Sequence, residues 1–221
     1  MTKMIGLEKE YFVVDKNGKI ASPEFMQFFP RDDCGFLAEA RGEPSADIYQ
    51  AVTNLLAKEW KLEDIIKYYS VVSKDVTDQI RQLKLVQIPV MKFSIKDVLA
   101  YYDAKTIARK EKIGSIYGKE YKDKVNNKTA GLHIHFSSTD ITQFTDDNEV
   151  HKTKTNNILD IPKIVQQLDS VFETAIIDTK RHLGSYRIKT YPNGNQGFEY
   201  RSLPNNIDLR LLIQVLNKLE W

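Results

Sequence analysis

Glu8 and Glu10, Glu39 and Arg41, His133 and His135, and Glu199 and Arg201 are pairs of ionisable residues two positions apart. Each lies in a short run that reads as a β-strand, and strand side chains two apart share a face. The residues between them, Ala40, Ile134 and Tyr200 with Lys9 the exception, can pack against helices while the charged partners turn to a cleft. One sheet with one polar face would collect all eight residues. Any single pair also arises by alternation on the solvated face of an antiparallel sheet, so the weight lies in the combination.

The order of elements supports that reading. Ile5–Val14 is rich in aromatic and β-branched residues and precedes Asp15-Lys16-Asn17-Gly18, a tight-turn sequence, with Ile20 to Phe25 as a possible returning partner. Gly35–Arg41 reads as another strand, ended by Gly42 and Pro44, and Ser45 and Asp47 stand at a helix N-cap. Ile48, Val52, Leu55, Leu56, Trp60, Leu62 and Ile66 follow a helical period over 48–69, as one or two helices.

Leu85–Phe93 is a further strand candidate, with an edge or bulge at Pro89, and Gly131–Ser137 another. Pro162–Thr179 predicts a helix burying Ile164, Val165, Leu168, Val171, Phe172, Ala175 and Ile176. Pro192-Asn193-Gly194-Asn195 is a turn between short strands, and 207–219 predicts a terminal helix. Strands and helices mix without regular β-α alternation, so the expected class is α+β with an antiparallel sheet.

At 221 residues the chain is expected to form one domain, 1–221. Two segments are expected to be mobile loops. The stretch 105–128 holds eight Lys or Arg against three Asp or Glu, with Gly114, Gly118 and Asn126-Asn127 as breakers, and 140–157 is largely polar. The formal net charge is +2, so no general field draws the chain to nucleic acid or membrane and any anion site must be local. The basic stretch lacks a nucleic-acid recognition motif. A lone Cys34, no secretory h-region and no bilayer-length apolar run fit a cytoplasmic, membrane-free protein.

Carboxylates gathered with histidines raise one another's pKa unless a cation neutralises them, which points to a bound metal. Hard oxygen donors favour Mg2+ or Mn2+. Arginines on the same surface can hold phosphate oxygens in a bidentate manner, so metal plus arginine suggests phosphoryl transfer.

GLEKEYFVVD, DCGFLAEARGEP, TAGLHIHFS, HLGSYR and GFEYRSLP, in that order from Gly6 to Pro204, resemble the phage-encoded carboxylate-amine ligases, relatives of glutamate-cysteine ligase and glutamine synthetase. The resemblance implies a glutamine-synthetase-like antiparallel sheet curved into a half-barrel with helices on its outer face. It also implies ATP as co-substrate, magnesium at the phosphates and amide formation through an acyl phosphate, from small-molecule or peptide carboxylate and amine substrates. The location implied is the cytoplasm, that of the host if phage-encoded.

Carried over by residue, the resemblance puts Glu8, His133 and Glu199 at one metal site and Glu10 with Glu39 at another. His135 falls near the nucleotide phosphates, Arg187 and Arg201 on the transferring phosphoryl group, and Arg41 on the substrate carboxylate. Two alternatives stay open. A metal-dependent hydrolase would use the same ligands to activate water, although His151 and His182 add no further ligand motif. A non-catalytic nucleotide-binding relative would keep the fold without turnover.

Overall fold

The computed structural model describes residues 3–21, 37–72, 82–94, 125–138, 143–146, 149–151, 158–192 and 194–221. Cys34 and most of the basic stretch 105–128 lie outside them. The described chain is a mixture of α and β with eleven strands and three helices, numbered in chain order. The largest sheet has six strands in the order β10-β11-β6-β1-β2, with β3 also paired to β1.

Here β1 is Lys3–Val14, β2 Leu37–Arg41, β3 Lys84–Val86, β6 Leu132–Ser138, β10 Tyr186–Thr190 and β11 Gln196–Tyr200. The β1–β3, β1–β6, β6–β11 and β10–β11 pairings are antiparallel. The chain groups into two compact units, taken in turn: Met1–Lys9, Arg41–Lys58 and Gly131–Trp221, then Glu10–Ala40 and Glu59–Ala130.

In the first unit the sheet alternates as a two-faced strand pattern demands. Leu7, Leu132, Ile134, Phe136, Phe198 and Tyr200 are buried at alternating positions, and Phe136 stacks on Phe198 with ring centroids 4.8 Å apart and meets Trp221 edge-on at 5.0 Å. Helix α2, Ile161–Asp178, starts with Pro in its first turn and with the Asp160 carboxylate accepting from the Lys163 N–H at 3.0 Å. It buries Ile161, Ile164, Val165, Leu168, Phe172 and Ile176. Val171, expected in that stripe, is 49% exposed because Leu168 and Phe172 already take the inward positions.

Helix α3, Leu209–Lys218, is capped by Asp208 and buries Leu212 and Leu216. The segment 140–157 is not loop throughout: β7, Gln143–Asp146, pairs with β8, Glu149–His151, and with β9, Ile158–Asp160. Polar composition hid these strands, because backbone pairing does not need apolar side chains.

Helix α1, Ile48–Val72, is one helix and crosses from the first unit to the second. The Asp47 side chain accepts from the Tyr49 and Gln50 N–H groups at 2.7 and 3.0 Å, an N-cap as the sequence suggests. Gly42 is fixed by close approach, since a Cβ there would stand 2.8 Å from the Leu55 nitrogen.

In the second unit Trp60, placed by the sequence in the buried stripe, is 67% exposed. The inward position goes to Glu59, which accepts a hydrogen bond from the Tyr11 hydroxyl. One residue on, the helix has turned by about 100°. The expected strand 85–93 is two strands, β3 and β4 (Val90–Ser94), broken where Pro89 has no N–H to donate. Asn126-Asn127, read as a breaker, lies within β5, Val125–Thr129, where pairing with β4 carries the backbone through. No helix among the described residues is long and apolar enough to cross a membrane.

Candidate functional site

Antiparallel register in the first unit builds the site in two rows. Arg187, Glu199 and His135 are successive cross-strand partners over β10, β11 and β6, and Glu8 of β1 is opposite His133 of β6. Two-residue spacing brings the rows onto one face. Glu8, His133 and Glu199 are buried there, and the Glu199 side chain is wholly enclosed.

Glu199 is crowded by cations. Its Oε2 accepts from Arg187 Nε and lies 3.2 Å from Lys189 Nζ, while its Oε1 lies 2.7 Å from Arg201 Nη1 and 3.2 Å from His133 Nδ1. Glu8 has Arg41 Nε at 3.0 Å and His135 Nε2 at 3.6 Å from Oε2, and His133 Nδ1 at 3.4 Å from Oε1. Burial alone would raise both carboxyls. The His133 and His135 rings beside it and the Arg41 charge instead hold Glu8 well below the ordinary carboxylate range. His133, His135 and the Arg187 hydrogen bond do the same for Glu199. Both acids are therefore ionised at neutral pH.

Tyr191 closes one side. Its backbone belongs to the turn joining β10 to β11, where Gly194 adopts φ 81° and Tyr191 N donates to Asn195 O at 2.8 Å. Its hydroxyl lies 3.2 Å from His135 Nδ1 and donates to the Phe198 carbonyl at 3.3 Å. Burial first, and then the Glu199 charge, push that phenol up, so it stays protonated. A cavity of about 540 Å3 opens here, lined among others by Glu8, Arg41, His135, Arg187, Lys189 and Tyr191.

Among the described residues, Glu8, His135 and Glu199 form the group that could share an ion, with ligand atoms within 4.8 Å of one another. Two carboxylate oxygens and one imidazole nitrogen suit Mn2+ or Mg2+, so the donor set fits the metal that the motifs imply. His133 stands against both carboxylates rather than within that group. Glu10 and Glu39 are buried on β1 and β2 of the second unit and are not members of it. Glu43, the nearest further carboxylate in sequence, is exposed and paired with Lys58 at 3.1 Å.

Lys189 and Tyr191 escaped the sequence reading. Lys189 had a signal, because it is two residues from Arg187 on the same strand and so repeats the spacing of the four pairs. Tyr191 had none, since its place depends on the turn.

No family model matches this sequence, and no curated protein matches it. Among solved structures, one similar fold is the bifunctional glutathione synthetase from Pasteurella multocida, at a TM-score of 0.46 and 13% identity over 94% of this chain. The chain spans 37% of that protein's length.

Proposed function

We propose that the chain is an ATP-dependent carboxylate-amine ligase that forms an amide through an acyl phosphate. The observation that carries the reading is the convergence of Glu8, His135 and Glu199 beside a cavity lined by Arg41, Arg187 and Lys189. The ordered motifs from Gly6 to Pro204 support the same reaction.

In this reading Glu8, His135 and Glu199 hold a divalent cation, which when bound would neutralise phosphate charge and polarise the transferring group. Arg187 and Arg201 bind the phosphoryl oxygens, with Lys189 beside them, and Arg41 orients the substrate carboxylate. A carboxylate oxygen attacks the γ-phosphorus, the bond to the β,γ-bridging oxygen breaks, and ADP leaves. The amine then attacks the acyl carbon and loses a proton as phosphate departs. Tyr191 keeps the His135 ring oriented from the Nδ1 side. Glu10 and Glu39 are proposed as ligands of a second cation.

Incubation with Mg2+, ATP and a panel of amino-acid and peptide carboxylate-amine pairs tests the reading. ADP and phosphate should form in equal amounts, together with an amide, when both substrates are present. Folded, nucleotide-bound protein that yields no ADP over a broad panel overturns it. Phosphoester or amide cleavage without ATP would replace it with the hydrolase reading.

A further inference from the structure

We infer that Arg181 is a positioning residue for Arg201: it fixes the backbone from which the Arg201 guanidinium is presented. The inference rests on the ligase reading, in which Arg201 binds phosphoryl oxygens. Arg201 follows the last residue of β11, so the strand ladder that places Glu199 ends before it. The loop between α2 and β10 holds it instead. The Arg201 N–H donates to the Ser185 carbonyl at 2.8 Å, and the Arg201 carbonyl accepts from Arg181 Nη2. Arg181 Nε donates to the following carbonyl, that of Ser202, at 3.0 Å, and the Ser202 hydroxyl accepts from the Ser185 N–H at 3.0 Å.

A guanidinium can hold two successive carbonyls because its N–H groups form a rigid planar fork, whereas an ammonium is a single point of charge. The fork is itself anchored on two sides. Lys180, at φ 57°, closes α2 with its N–H on the Ile177 carbonyl at 2.9 Å and the Arg181 N–H on the Ile176 carbonyl at 3.0 Å, a helix-ending motif that sets where the Arg181 side chain starts. At its other end the guanidinium occupies space that Gly131 leaves open, since a Cβ there would stand 2.5 Å from Nη2. The Leu203 carbonyl accepts from the Leu132 N–H at 3.0 Å, so three carbonyls in a row after β11 are engaged. From this fixed backbone the Arg201 side chain, 31% exposed, brings Nη1 to 2.7 Å from Glu199 Oε1. A long cationic side chain aims no better than the backbone that carries it.

A double-mutant cycle on the full chain tests the assignment, with ATP-Mg2+ affinity read by calorimetry. Arg181→Lys should weaken binding about tenfold in the native background and less than about twofold once Arg201 is replaced by Gln, because the loss passes through Arg201. Gly131→Ala, which presses on the flexible end of Arg181 rather than on backbone, should give the same pattern, and it stands in if circular dichroism shows Arg181→Lys to be unfolded. A merely structural role would weaken binding by the same factor in both backgrounds. That result, or native affinity in a folded Arg181→Lys chain, overturns this inference and leaves the ligase reading standing. A folded native chain that binds no ATP-Mg2+ removes both.

Discussion

Asp169 and Glu199 are two carboxylates attached to the same strand neighbourhood, and they are satisfied in opposite ways. Asp169 of α2 accepts from the Tyr200 hydroxyl and the Gly184 N–H, both at 2.6 Å. Glu199, the residue before Tyr200 and so on the other face of β11, is met by two guanidiniums, an ammonium and an imidazole. The first arrangement matches one charge with neutral donors and fixes a helix to a sheet. The second supplies more positive charge than a structural role requires, and a surplus of that kind is what a binding surface needs to keep for an incoming ligand.

Removing the acid is the most direct way to break this contrast. Glu199→Gln should leave three cations facing one another and destabilise the fold by about 3 kcal/mol, read from urea unfolding, and lower the proposed ligase turnover by about 10²- to 10³-fold, read from ADP release. If turnover persists, the surplus is structural.

Acid titration sharpens the same point through Glu8. Its carboxyl is depressed in the folded state from an ordinary value of 4.5, so its contribution is fully present above that value. It is lost as pH falls from there toward the folded-state value. Unfolding curves taken down that acid limb should fall less steeply for Glu8→Gln than for the native chain, with no divergence near neutrality.

A smaller effect is expected at Gly197, where a Cβ would collide with the Phe136 carbonyl oxygen and stand 2.9 Å from Ser137 Cα. Gly197→Ala should cost about 2 kcal/mol by overpacking, seen as a lower thermal midpoint. The smallest change belongs to the neutral side. Tyr200→Phe removes one hydrogen bond to Asp169 and should cost about 1 kcal/mol while leaving turnover within about twofold; a larger loss of turnover would mean that the two faces of β11 are coupled.

The sequence carried the local part of this picture well. His133 and His135 announce their shared face by spacing alone, Pro162 marks the first turn of α2, and Asp15 to Gly18 mark a turn. Long-range choices were less visible. Whether Glu59 or Trp60 points inward depends on the Tyr11 hydroxyl, which lies 48 positions away in the chain. Likewise β7 and β8 owe their existence to partners rather than to composition. At the site, the pairs indicated which strands would bear charge, but the gathering of Arg187, Lys189 and Arg201 on one acid follows from the β10–β11 register, which the sequence does not state.

The place of β10 in the strand order has a consequence for handling the molecule. Among the described residues it is the last strand on its side of the sheet, and its residues are largely open to solvent. An outermost strand invites another chain to add on, and charged side chains discourage that. Arg187 and Lys189 stand on this rim, so the side chains that would receive an anion also keep neighbouring copies apart. Variants that neutralise both should therefore lose colloidal solubility as well as ligand affinity.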